Sequence, residues 1–275
     1  MMNKRPLLWV FAASVTAGLS LGVTVAAAQR VLTNDDWCRN ESWGDDRQGV
    51  CEVREYVVTA TGATMVVDAA PNGGISVEGA PRADILIRAK VVATAATEDR
   101  ARQIAGAVQV NAAPDKVSAD GPSGLDRREG WHVSYRLAVP PQSSLSLRTT
   151  NGGISITEVE GRIDFRTVNG GVKLTAVGGN IRGRTSNGGV DVDLDGATWR
   201  GEGLDVETSN GGVRLRIPEQ YSAHLETGTI NGGFSIDFPL TVQGRVEREI
   251  TADLGAGGPV IRVRTHNGGV KVTKK

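Results

Sequence analysis

The stretch "DVDLDGATWRGE", Asp191 to Glu202, satisfies the calcium-loop spacing D-x-D-x-D-G-x5-E. Asp191, Asp193 and Asp195 would supply oxygens, Gly196 the sharp turn and Glu202 the closing carboxylate. A competing reading covers the same residues. Val190, Val192 and Leu194 alternate with the aspartates, which is the pattern of a strand with its acids outward. An extended chain spaces alternate side chains by about 7 Å, too far for three carboxylates to share one ion. Cys38 and Cys51 are the only cysteines, and their closeness in an exported chain favours a disulfide, which would contribute about 2–3 kcal/mol. His132, His224 and His266 lie far apart, each on the polar side of a strand or at a turn, and read as surface. No G-x-S-x-G is present, nor a cysteine–histidine arrangement with a free thiol. These residues point to no catalytic centre and no cofactor.

The elements that would position them are repetitive. "TTNGGISI", "TVNGGVKL", "TSNGGVDV", "TSNGGVRL", "TINGGFSI" and "THNGGVKV" place Asn151, Asn169, Asn187, Asn210, Asn231 and Asn267 at the same point of one motif. Apolar residues or Thr occupy alternate positions on either side, with charged and polar residues between them. That period of two marks strands with one buried and one wet face. Asn-Gly between strands is a turn signal, because both residues tolerate positive φ. The gaps between motifs are 18, 18, 23, 21 and 36 residues, and "LGAGGPVIRV" reads as a degenerate turn within the last.

A period near 20 residues indicates a repeat array. The expected fold is all-β: a β-solenoid of about 18-residue rungs, with asparagines hydrogen-bonded from rung to rung and one short helix in the N-terminal half. Antiparallel meander or sandwich is the alternative, favoured by the hairpin-like turn. Only 4% of residues are aromatic and 36 are glycine, so a thin two-sheet core suits the composition better than a thick one.

The chain opens with Lys4 and Arg5, an apolar run from Leu7 to about Val25, and Ala26-Ala27-Ala28, the layout of a signal peptide cleaved near Ala28. Removing Lys4 and Arg5 leaves 29 basic against 31 acidic residues, a net of about −2, which gives no general attraction to nucleic acid. No second long apolar run follows, so the mature chain is not expected to span a membrane. The expected division is signal peptide (1–28), disulfide-closed segment (29–55), N-terminal cap and first rungs (56–141) and repeat solenoid (142–275). Within the cap, "TEDRARQIAGAV" reads as a helix capped by Thr97, with Ala101, Ile104, Ala105 and Val108 as its apolar stripe. "PNGGISVEG" is an outlying copy of the turn.

The signal peptide, the strand–helix–strand segment ending in "WHVSYRLAVP" and the ladder of T-x-N-G-G turns resemble the bacterial β-strand-repeat "putative adhesin" family, a domain of unknown function. The resemblance covers about residues 56–273; the cysteine segment lies outside it. It implies a right-handed β-solenoid-like fold, export, no catalytic residues, and an adhesin-like role by analogy.

The leading expectation is a non-enzymatic envelope or extracellular interaction scaffold whose partner is an envelope protein, polymer or surface. The alternatives are a polysaccharide-binding or cleaving β-helix protein and a calcium-dependent module. Sugar-active β-helices stack aromatics along neighbouring rungs, and this chain has few. Arg148, Arg166 and Arg184 each precede their Asn by three residues, so a regular solenoid aligns them in one outward column, with Asp164 placed to neutralise it.

Overall fold

The computed structural model describes residues 28–33, 35–44, 46–237 and 248–275; the expected signal peptide lies outside them apart from Ala28. Two long open sheets face one another. The first runs, edge to edge, through Ala28–Leu32, Gln48–Thr59, Asp84–Ala95, Gly130–Val139, Ile75–Gly79, Ile154–Thr157, Val172–Thr175, Val190–Asp193, Val213–Ile217, Val270–Lys274 and Phe234–Asp237. The second runs through Glu249–Leu254, Ala223–Asn231, Val260–Asn267, Gly203–Asn210, Gly178–Asn187, Glu160–Asn169, Leu145–Arg148, Met65–Asp68, Lys116–Asp120 and Gln109–Ala112.

Every T-x-N-G-G motif joins a strand of the second sheet to a strand of the first, and motifs adjacent in the stack pair in parallel. Ile163 sits beside Ile181 and Leu145, and Val172 beside Val190 and Ile154. The fold is therefore a β-solenoid, and the meander is excluded: among the described residues no strand pairs antiparallel with its neighbour across an Asn-Gly-Gly. Alternation along each strand sends the aliphatic residues between the sheets, where Ile154, Ile156, Leu174, Ile181 and Leu215 are fully buried. One inward position is empty of side chain. A Cβ on Gly183 would lie 2.1 Å from the Phe165 ring, so the phenyl group of one rung fills the vacancy in the next.

The outlying copy at Asn72 belongs to the same stack, for Ile75–Gly79 pairs in parallel with Ile154–Thr157. Between these two rungs the chain makes an excursion. Asp84–Ala95, Gly130–Val139 and Gln48–Thr59 pair antiparallel and end the first sheet. The helix Glu98–Ala107 buries Ala101, Ile104 and Ala105 against that end, and the Thr97 hydroxyl accepts from the Arg100 N–H to cap it. Its C-terminus is held by Arg54, 7% exposed, whose guanidinium donates to the carbonyls of Ala105 (2.8 Å) and Val108. A cation there satisfies free carbonyls and meets the negative end of the helix dipole.

At the other end, chain order and stacking order differ. Val260–Asn267 lies between Gly203–Asn210 and Ala223–Asn231, so Asn267 stacks between Asn210 and Asn231. Glu249–Leu254 first runs antiparallel along the outer edge of Ala223–Asn231. The "LGAGGPV" turn, with Gly255, Gly257 and Gly258 at positive φ, then carries the chain back inside that strand. This stretch is a reversal between two strands of one sheet, rather than a degenerate rung turn.

Candidate binding faces

The turn edge is built by three residues with separate tasks. Each asparagine amide donates to the side-chain oxygen of its neighbour, from Asn151 to Asn72 (2.7 Å), Asn169 to Asn151 (2.7 Å), Asn187 to Asn169 (2.8 Å), Asn210 to Asn187 (2.9 Å), Asn267 to Asn210 (2.8 Å) and Asn231 to Asn267 (2.8 Å). The hydroxyl of each motif threonine donates to the carbonyl of the first glycine one rung away, as Thr167 does to Gly152 (2.8 Å) and Thr185 to Gly170 (2.8 Å). The first glycine allows backbones to touch: a Cβ on Gly170 would sit 2.0 Å from the Gly152 oxygen, and one on Gly188 2.2 Å from the Gly170 oxygen.

Positive φ is not the reason for the motif. No ladder asparagine has it, and among the twelve glycines of the six T-x-N-G-G copies only Gly268 does. Left-handed residues lie instead at the opposite corner of the rungs, at Glu158 (φ 55°), Ala176 (φ 52°) and Gly179 (φ 102°).

The calcium-loop residues do not converge. Asp191 and Asp193 point outward from one extended strand. Asp191 meets Arg214 at 3.0 Å and Arg216 at 2.9 Å; Asp193 meets Arg216 at 3.0 Å and Lys275 at 2.7 Å. Asp195 pairs with Arg200 at 3.2 Å, and Glu202 accepts from the Asn180 amide. Burial opposes ionisation of Asp193, but Lys275 and Arg216 outweigh it and its pKa is lowered. Three carboxylates already matched by cations on an extended strand make an ion-pair network. Among the described residues no three His, Cys, Asp or Glu side chains are grouped to hold a metal.

Cys38 and Cys51 form a disulfide. It ties down a segment that Asp35 and Glu41 also anchor, through Arg88 and Lys90. This segment lays Trp37 beneath the Arg136 guanidinium, 4.0 Å from the ring centre. The histidines stay separate. His132 is half-buried and burial lowers its pKa; His224 contacts Asp253 at 2.6 Å, and His266 lies 3.5 Å from Glu207.

Two outer faces remain. On the second sheet, Arg148, Arg166 and Arg184 stand in register on adjacent rungs, with Arg162 and Arg182 beside them. Asp164 sits among them without reaching ion-pair distance of any, contrary to the neutralising role its position suggested. Among the described residues only Arg184 of the five has a carboxylate partner, Glu207 at 3.4 Å, while Arg184 remains 79% exposed.

On the first sheet, a trough of about 800 Å³ runs across the rungs. The second glycines of five turns, Gly74, Gly153, Gly171, Gly189 and Gly212, line it. Trp37 and Arg136 close one end, and Lys173, Asp191, Arg214 and Lys271 form a wall. Lys173 and Lys271 have no acidic partner among the described residues. Sequence reasoning missed Trp37 and this glycine column as parts of a site; the signal for the column was the second glycine, which recurs in every copy.

These features define a class, a parallel β-solenoid with long repetitive outer faces. The chain belongs to the family described as Toastrack DUF4097, whose model matches residues 136–273, half of its length. No curated protein matches it. A solved structure of a "putative cell adhesion protein" from Clostridium sporogenes ATCC 15579 is similar at 11% identity, over 83% of this chain and 100% of that one, with a TM-score of 0.44. A "putative adhesin" from Bacteroides fragilis NCTC 9343 is similar at 11% identity, over 82% and 97% of the two chains, with a TM-score of 0.34. Likenesses this distant say nothing of what this chain binds.

Proposed function

We propose that the protein is an exported, non-enzymatic scaffold of the cell envelope that holds an extended anionic polymer along the arginine face of its second sheet. The carrying observation is the in-register column Arg148–Arg166–Arg184, flanked by Arg162 and Arg182, with Glu207 its one carboxylate partner among the described residues. Like charges one rung apart, about 4.8 Å, repel. A matching row of anions offsets that cost and is geometrically favoured by a linear polymer. The disulfide supports an oxidising compartment. The same reading divides the chain into a signal peptide (1–28), a disulfide-closed segment (29–55), a cap with the first rung (56–141) and the remaining rungs (142–275).

The first-sheet trough supports a second reading, in which the polymer lies over the glycine column between Lys173 and Lys271. The two are separated by charge reversal. Retention of the mature protein on isolated envelopes and on dextran sulfate is measured at low and high salt. Arg166→Glu should weaken retention about tenfold at low salt, a change of about 1.4 kcal/mol, while Lys173→Glu leaves it unchanged. Binding of the wild type should fade towards 1 M salt, where screening acts over about 3 Å. Loss with Lys173→Glu alone places the polymer in the trough. Retention on anionic lipid vesicles but not on dextran sulfate makes the partner a headgroup surface. Unchanged retention for both variants refutes binding through either face.

A further inference from the structure

Asn-Gly is a chemically labile pair as well as a turn. The glycine amide nitrogen can attack the asparagine side-chain carbonyl carbon and expel ammonia, closing a cyclic imide. Water then opens the ring to aspartate or to isoaspartate, whose main chain runs through the side-chain carboxyl. Glycine has no side chain to hinder the attack. The chain carries seven such pairs along one edge, at Asn72 and in the six T-x-N-G-G motifs.

Six of the seven are clasped by the next rung. The glycine N–H that would attack donates to the asparagine main-chain carbonyl beside it, as Gly152 does to Asn169 (3.1 Å), Gly170 to Asn187 (3.0 Å) and Gly268 to Asn231 (3.0 Å). The side-chain oxygen of each of these six asparagines also accepts its neighbour's amide, which fixes the rotamer. Attack on any of them has to break both bonds. All these bonds run the same way along the stack, so the rung at one end has no neighbour to make them with. That rung is Asn231–Gly232, which leads into Phe234–Asp237, the edge strand of the first sheet. Among the described residues the Gly232 N–H has no acceptor, and no amide reaches the Asn231 side-chain oxygen. Asn231 is exposed. A Cβ on Gly233 would meet nothing within 4 Å, whereas the second glycines of the other rungs meet a neighbour's backbone at 3.2–3.5 Å.

We propose that Asn231 is a site of spontaneous covalent modification in the folded protein, deamidation through a cyclic imide with Gly232. The bond formed joins Gly232 N to Asn231 Cγ, and the bond broken is Asn231 Cγ–Nδ2. The Gly232 amide proton leaves with that nitrogen as ammonia. Water then cleaves the imide at Cγ, giving aspartate, or at the main-chain carbonyl, giving isoaspartate. The sequence consumes one water and needs no enzyme, metal or oxidant. Isoaspartate inserts a methylene into the main chain between Thr229, whose hydroxyl bonds Gly268 at 2.8 Å, and Phe234, which sits beside Val270. Both contacts cannot keep their register, so the modification loosens the rung beside the buried Val270 and Val272.

The test incubates the mature, disulfide-bonded protein at mildly alkaline pH, where the amide loses its proton more readily. Conversion is followed by tryptic peptide mapping with mass spectrometry, since lysine and arginine positions place each of the seven asparagines on its own peptide. The Asn231 peptide should convert at least about thirtyfold faster than that of Asn169, the ratio set by two hydrogen bonds worth together roughly 2 kcal/mol. Isoaspartate should be among its products. The Gly232 amide should exchange its hydrogen with solvent much faster than the Gly170 amide. In urea, with the stack gone, all seven asparagines should convert at similar rates. Equal rates for Asn231 and Asn169 in the folded protein overturn the proposal, as does faster conversion at any clasped asparagine. A Gly232 amide as protected as that of Gly170 overturns it too. So does an equal preference for Asn231 in urea, which would make the lability a property of the local sequence and not of the open rung.

Discussion

Adjacent glycines of one turn should respond oppositely to the same substitution. In Gly170→Ala the new Cβ would stand 2.0 Å from the Gly152 oxygen, 2.4 Å from the Gly152 carbon and 2.9 Å from the Gly153 nitrogen. All three atoms are backbone, and ordinary C···O contacts begin near 3.3 Å, so the two rungs must part by about 1 Å. The bonds that join them there are Gly152 N–H to Asn169 O (3.1 Å), Ile154 N–H to Gly171 O (3.0 Å), the Asn169–Asn151 amide bond and the Thr167 hydroxyl bond to Gly152. Parting by 1 Å takes most of them beyond hydrogen-bond range. At about 1 kcal/mol each, the loss is roughly 3–4 kcal/mol. For a chain of this size that lowers the melting temperature by roughly 10 °C. In Gly171→Ala the Cβ would lie 3.4 Å from the Gly189 oxygen, a close contact that needs little movement. Its melting temperature should stay within about 3 °C of wild type, because restricting the unfolded chain offsets the tight fit. Gly233→Ala, with nothing within 4 Å, should behave likewise. Far-UV circular dichroism on the mature, oxidised proteins decides it. If Gly171→Ala costs as much as Gly170→Ala, the motif needs glycine for its backbone angles and close stacking is the wrong explanation.

Asn169→Ala removes two amide bonds of an exposed ladder and should cost about 1 kcal/mol, against less than about 0.5 for Val168→Thr beside it; urea midpoints compare the two. Arg54→Met leaves the carbonyls of Ala105 and Val108 and the Glu52 carboxylate without their buried cation, and should cost about 3 kcal/mol by urea unfolding. Cys38→Ser with Cys51→Ser opens the loop, should cost about 3 kcal/mol, and should change tryptophan emission as Trp37 leaves Arg136. The hydrogen bond from Arg262 lowers the Glu226 pKa, and that from Arg200 lowers the Glu160 pKa. A carboxylate lowered by folding adds stability above its unfolded value, near 4.3, and loses it as pH falls through the folded value. The melting temperature should therefore drop below about pH 4.3, and Glu226→Gln should make that acid limb shallower.

How much could be read from the residues follows from the range of each interaction. The period of two, the Thr97 cap and the apolar stripe of the helix are local, and each appears where the sequence places it. The divergence of Asp191, Asp193 and Asp195 also follows from local geometry. The steric task of Gly170 does not, because the atom it must avoid belongs to Gly152, one rung away. Nor does the position of the Asn267 rung. Every copy offers Thr, Asn and aliphatics at the same register, so "THNGGVKV" fits equally well between any two others, and only the reversal at Gly255–Gly258 decides where it goes.

That degeneracy bears on function. The inward residues and the turn are held nearly constant by stacking, so they cannot distinguish one partner from another. The positions free to vary face outward, and there neighbouring rungs differ sharply: Arg148, Arg166, Arg184 and Glu207 on one column; Ser155, Lys173, Asp191 and Arg214 on another. Much of the second column is neutralised within the chain, because Asp191 takes up Arg214. Much of the first is not, which leaves its charge for something outside the molecule.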